Sequence, residues 1–148
     1  MDPFERTADR LAIQDVVHAY AEGVDDGDRE AVAALFTDDC VFRAFAGPKG
    51  TAEGRAAVEV LLGRLLGTFR ATSHHVSNLR LDFVGEDEAT GRTSLHAWHA
   101  FVDDRPDGLL WGRYVDRFVR TPDGWRLAER ELRIAGERDF PFAWIPMR

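Results

Sequence analysis

The stretch TSHHVSNLRLDFV, residues 72–84, marks the point where the period of the chain changes. Upstream, apolar residues recur every three or four positions, as on a helix face; from here on they alternate every second position, as on a strand. Alternation through the stretch itself places His75 with Ser77, Leu79, Leu81 and Phe83 on one face, and His74 with Val76, Asn78, Arg80 and Asp82 on the other. Two adjacent histidines therefore point to opposite sides. Read alone, the periodicity buries His75.

Working outward toward the N-terminus, Leu11, Ile13, Val16, Val17, Tyr20 and Val24 form one helical stripe that stops at GVDDGD, residues 23–28. A short second helix is expected in REAVAALF, a turn and strand in TDDCVFRAF, and a third helix in EGRAAVEVLLGRLLGTF, with Val58, Leu61, Leu62, Leu65 and Leu66 on one side. Toward the C-terminus, EATGRTSLHAWHAFVDD, LLWGRYVDRFVRT and GWRLAERELRIAG read as further strands, joined by the turn-rich GEDE, DRPDG and TPDG. Three helices followed by a meander predict an α+β domain over residues 1–148, a cone-shaped barrel in which the helices cap one curved sheet around a cavity. The tail DFPFAWIPMR is too apolar for a solvated end and should cover a pocket mouth or dock on a neighbouring subunit.

Composition narrows the function. At 148 residues and 45% hydrophobic the chain suits one core, and a formal net charge of −7 disfavours attraction to nucleic acid or to an anionic membrane. Cys40 is the only cysteine, which excludes an intrachain disulfide or a thiolate zinc cluster and suits a reducing, cytoplasmic setting. The N-terminal stretch lacks the pattern of a signal peptide. His96 and His99 of HAWH face opposite sides of a strand, which argues against a metal site, and phosphate-binding, dinucleotide-binding and GxSxG motifs are absent from the sequence. No metal and no cofactor are expected.

AIQDVVHAYAEGVDDGD (12–28), TSHHVSNLRLDFV (72–84) and DGWRLAERE (123–131) resemble corresponding segments of the SnoaL-like branch of the nuclear transport factor 2-like superfamily. That branch includes scytalone dehydratase, bile-acid dehydratases and hexachlorocyclohexane dehydrochlorinase. The resemblance spans nearly the whole chain and implies three N-terminal helices on a curved, mixed but mostly antiparallel sheet. It also implies site residues: Tyr20 and Asp25 at the end of the first helix, His74 four positions before Asn78, and Arg130 on the last long strand. His74 is thereby favoured over His75, which reconciles with the alternation if the His74 face lines the cavity or if a bulge resets the register.

The chemistry of such a set is definite. A neutral imidazole removes a proton if one ring nitrogen is free, and a carboxylate on the other nitrogen fixes its tautomer and stabilises the imidazolium. The Tyr20 phenol can donate to a substrate carbonyl or a leaving oxygen. Arg130 lies on an otherwise apolar face, placed to bind a leaving anion or to anchor Asp25. Asn78 and the aromatic residues Phe42, His96, Trp98 and Trp111 are expected to contact a small hydrophobic ligand. Three functional classes follow: a cofactor-independent lyase, dehydratase-like, acting on a hydrophobic cyclic substrate; a polyketide cyclase or ketosteroid-isomerase-like enzyme; or a non-catalytic binding domain. Open sheet edges and the apolar tail predict a homodimer or homotrimer.

Overall fold

The computed structural model describes residues 2–148. Helix α1 (Pro3–Asp25) begins in a capping box: the Asp2 carboxylate accepts from the Phe4 amide at 3.0 Å, the Glu5 carboxylate accepts from the Asp2 amide at 3.1 Å, and Pro3 occupies the first helical position. The helix stops at Asp25, and the chain turns through Gly27 at φ 71°, a left-handed conformation that glycine adopts without strain. Ile13, Val16, Val17, Tyr20 and Val24 are buried as the stripe predicts, whereas Leu11, which the stripe also included, is 58% exposed.

Next come α2 (Arg29–Ala33), β1 (Phe36–Arg43), a short β2 (Thr51–Glu53) and α3 (Arg55–Leu66), which buries Val58, Leu61 and Leu62. The hairpin strands are β3 (Phe69–Phe83), β4 (Glu88–Phe101), β5 (Gly108–Thr121) and β6 (Gly124–Arg138), and β7 (Ile145–Pro146) ends the chain. The sheet runs β2-β1-β6-β5-β4-β3. β1 and β7 both pair parallel to β6, and every other pairing is antiparallel. The three helices pack on the inner face of this curved, open sheet, the α+β cone expected from the sequence. β2 is a strand that the periodicity did not reveal, for three residues are too few to show a period.

β3 contains the feature that decides which histidine turns inward. Ser77 pairs with Ser94, but Arg80 pairs with Arg92, so β3 carries one extra residue at this point. Asn78 holds it at φ 54°, a region that asparagine enters more readily than other side chains with a Cβ. The inward face therefore runs Thr72, His74, Val76 and then, after a one-residue slip, Leu79, Leu81, Phe83. A further register shift lies at the start of the strand, between Phe69 and Ala71.

The core is one cluster, with Phe36, Phe118 and Leu127 fully buried between α1 and the sheet. Asp9 locks α1 to the far end of the sheet, accepting from Arg120 at 2.8 Å and from the Trp125 indole at 3.0 Å.

Candidate active site

His74 and Asp25 meet because α1 ends where β3 begins its inward-facing run. The His74 ring nitrogen Nδ1 lies 2.7 Å from Asp25 Oδ1, the His74 backbone amide donates to Oδ2 at 2.8 Å, and the Thr72 hydroxyl donates to Oδ1 at 2.8 Å. Burial alone would raise the Asp25 carboxyl, yet these bonds, led by that of the His74 ring, hold it below its ordinary value. The ionised carboxylate takes the Nδ1 proton as an acceptor, which leaves Nε2 as the nitrogen able to accept. The His74 side chain is 7% exposed. His75 is exposed on the other face, its Nε2 3.3 Å from the Ser73 hydroxyl.

The cavity in which His74 stands is apolar, with about 70 Å³ of free space. Its walls include Tyr20, Phe42, Phe69, Leu95, His99 and Tyr114. Phe140, Phe142 and Trp144 of the tail line it as well. Phe140 is 2% exposed and packs 4.8 Å from the His99 ring, and Trp144 donates from its indole to the Phe140 carbonyl at 2.8 Å. The tail thus docks on its own chain, anchored by the Ala46 amide on the Ala143 carbonyl and by the Met147 amide on the Ile134 carbonyl.

Tyr20 lies among Phe36, Phe42 and Tyr114, and burial raises its phenol to about 12 against the opposing charge of Arg130. It stays a neutral donor at any ordinary pH. Arg130 is fully buried, but its partner is Asp116 and not Asp25. Nε and Nη2 reach the two Asp116 oxygens at 2.9 and 2.8 Å, and the guanidinium lies 4.2 Å from the Tyr20 ring and 3.9 Å from that of Tyr114. It stands behind the two phenols, outside the cavity lining. A cation this deep is tolerable only beside a bidentate carboxylate, and Asp25 at the rim is too far toward solvent to serve.

Four expected ligand contacts fall on the wrong side of the sheet. His96 and Trp111 are register partners that stack on the outer face at 5.4 Å, both exposed. Trp98 also faces outward, where its indole N–H finds the Asp107 carboxylate at 3.0 Å. Asn78 is consumed by the bulge and borders an outer depression. Of the expected contacts Phe42 alone lines the cavity. The inward residues of β4 are instead Leu95, Ala97 and His99, an alternation no more apolar in the sequence than that of His96, Trp98 and Ala100.

His99 is the main residue that the sequence reading missed. It is 4% exposed, its ring lies 5.2 Å from that of His74, and its Nδ1 has no hydrogen-bond partner among the described residues. Burial, reinforced by the neighbouring His74, pushes it down to about 3, so it is a neutral imidazole. Tyr114, 3% exposed and edge-on to Tyr20 at 5.4 Å, is the second.

The fold agrees with that of similar proteins. A family model described as SnoaL-like domain matches residues 5–131. An uncharacterised protein of Mycobacterium tuberculosis is 32% identical over 126 residues, 83% of each chain. Hexachlorocyclohexane dehydrochlorinase 1 of Sphingobium indicum is 26% identical over 134 residues, 87% of this chain and 83% of its own. A crystal structure from Novosphingobium aromaticivorans, of a protein provisionally named scytalone dehydratase, superposes with a TM-score of 0.92 at 35% identity, over 99% of this chain and 97% of that one. A type 2 hexachlorocyclohexane dehydrochlorinase superposes with a TM-score of 0.85 at 25% identity, over 99% and 97%.

Proposed function

The chain belongs to the SnoaL-like domain family, and on that premise we propose that it is a cofactor-independent lyase that expels water from a small hydroxylated cyclic ketone. The observation that carries this reading is the His74–Asp25 contact at 2.7 Å on the wall of an apolar cavity. The dehydratase and dehydrochlorinase names of its relatives support the same class of reaction.

In this reading His74 Nε2 takes the proton beside the substrate carbonyl. The C–H electron pair moves into an enolate whose oxygen accepts a hydrogen bond from the Tyr20 phenol, and Asp25 stabilises the imidazolium that results. The enolate then collapses, a C=C bond forms, the C–O bond to the leaving hydroxyl breaks, and the departing oxygen takes the proton back from His74 as water. Neutral His99 is placed to bond a substrate polar group without adding charge to the cavity.

Arg130 acts in this scheme from behind Tyr20, not on the leaving group. We assign the active form to a cytoplasmic homodimer or homotrimer, for β2 and β3 leave the two ends of the sheet unpaired. Light scattering at the monomer mass of 16.7 kDa over a wide concentration range would count against assembly.

The test of the reaction is incubation with a panel of hydroxylated cyclic ketones and mass spectrometry of the products. Loss of one water, diminished about 10²–10⁴-fold by His74→Ala and by Asp25→Asn but little by His75→Ala, is the expected result. Unchanged mass with an altered spectrum would favour isomerisation or cyclisation, and full activity in folded Asp25→Asn would sink the dyad.

A further inference from the structure

The outer face of the sheet carries a row of arginines that the chemistry of the cavity does not use. Arg80 of β3 stands directly opposite Arg92 of β4, and Arg113 of β5 directly opposite Arg133 of β6. Like charges facing one another across strands destabilise a sheet unless something neutralises them.

Part of the row is neutralised within the chain. Arg133 donates to Glu131 at 2.7 Å, Arg43 lies 3.9 Å from the same carboxylate, and Arg117 reaches Glu129 at 3.2 Å. Arg80, Arg92 and Arg113 make no ion pair or side-chain hydrogen bond with any described residue. They surround a depression of about 150 Å³ whose remaining lining is Asn78, Thr93 and Ser94, with no carboxylate in it. The bulge at Asn78 creates the arrangement: without the extra residue, alternation would carry Arg80 to the inner face with His74 and Val76. A chain of net charge −7 has thus gathered the Arg80, Arg92 and Arg113 guanidinium groups with Asn78, Thr93 and Ser94 around one small hollow, beside a wider depression that Arg80 and Arg92 share with Asp82, Glu129 and Glu131.

We propose that this hollow, on the face of the sheet opposite the cavity, binds a phosphate-class oxyanion. Guanidinium groups match a tetrahedral oxyanion through paired N–H donors, and three of them can surround a dianion that no single one would hold. Asn78 and Ser94 add neutral donors. The size of the hollow fits one phosphoryl group, either as inorganic phosphate or at the end of an organic phosphomonoester. The site stands independently of the reaction assigned to the cavity.

Calorimetric titration of the full chain with inorganic phosphate and, separately, phenyl phosphate tests it, each at fixed ionic strength with chloride as the control. Saturable binding of either probe, weakened at least ten-fold by Arg92→Gln and by Arg113→Gln and unaffected by Arg138→Gln, is the expected result. Tighter binding of phenyl phosphate assigns the site to the phosphoryl group of an organic molecule, and equal binding to the free ion. Failure of both probes to saturate, or equal affinity in Arg92→Gln and the unmodified protein, overturns the proposal. So does a fall in assembly mass in Arg92→Gln without phosphate binding, which would give the row to carboxylates of a second copy. Circular dichroism of each variant separates loss of the site from loss of the fold.

Discussion

Two carboxylates on the inner side of the sheet each hold a cationic or ionisable partner, and they hold them differently. Asp116 and Arg130 are both 0% exposed, joined by two parallel bonds and roofed by two phenol rings. Asp25 and His74 sit at the rim, with the Asp25 side chain 28% exposed and its oxygens shared among three donors. In the deep pair burial raises the Asp116 carboxyl in spite of Arg130; at the rim the hydrogen bonds outweigh burial and the Asp25 carboxyl is lowered. Depth alone divides the roles. A pair sealed from solvent ties two strands together, whereas a pair at a cavity wall lies within reach of a bound molecule.

The largest expected effect breaks the deep pair. Arg130→Met leaves Asp116 buried without a partner and should cost about 3–5 kcal/mol of stability, measured by chemical denaturation. The double variant Arg130→Met, Asp116→Leu should recover most of that, because no charge is then left uncompensated. A double variant as unstable as the single would show that the pair does more than cancel itself. At the rim the pattern should invert, with Asp25→Asn folding normally while losing turnover.

Acid should separate the pairs next. A carboxyl whose folded pKa is lowered stabilises the fold above its unfolded value and loses that contribution as pH falls through the folded one. Asp25 is such a group, so part of the thermal stability should disappear as pH drops below the ordinary 3.8. Asp25→Asn should flatten the decline without abolishing it, because Asp9, lowered by Arg120 and Trp125 against its burial, contributes in the same direction. Identical acid profiles for the variant and the unmodified protein would remove Asp25 from the account. Asp116, raised by burial, should add nothing to this decline.

The smallest effect concerns the bulge that brings His74 to the rim. Asn78→Gly should change stability by a few tenths of a kcal/mol, since glycine accepts a φ of 54°, while Asn78→Val should cost about 1–2 kcal/mol. Chemical shifts of the two histidines would report whether the valine variant expels the extra residue and exchanges the faces of His74 and His75.

Much of this molecule is legible one residue at a time. The helical stripe through Ile13, Val17, Tyr20 and Val24, the change of period at residue 72 and the turn signals between hairpins all depend on local periodicity, and the α+β cone follows from them. The pairing of His74 with Asp25 was accessible only through family resemblance, since the two residues lie 49 positions apart. Which face of β4 looks inward was not legible. His96 and Trp98 and their neighbours Ala97 and His99 offer mixed faces of similar polarity, and the choice was made by what the strand packs on: Trp111 outside, Phe140 and His74 inside. The partner of Arg130 was equally hidden, because a buried cation needs whichever carboxylate the register brings opposite, and Asp116 arrives there only when β5 and β6 are paired. The sequence by itself determined the elements and their order, for those rest on interactions within a few residues. Tertiary structure alone decided the phase of β3, the inner face of β4 and the depth of each charged pair, for a strand has two faces of nearly equal cost until a partner covers one of them.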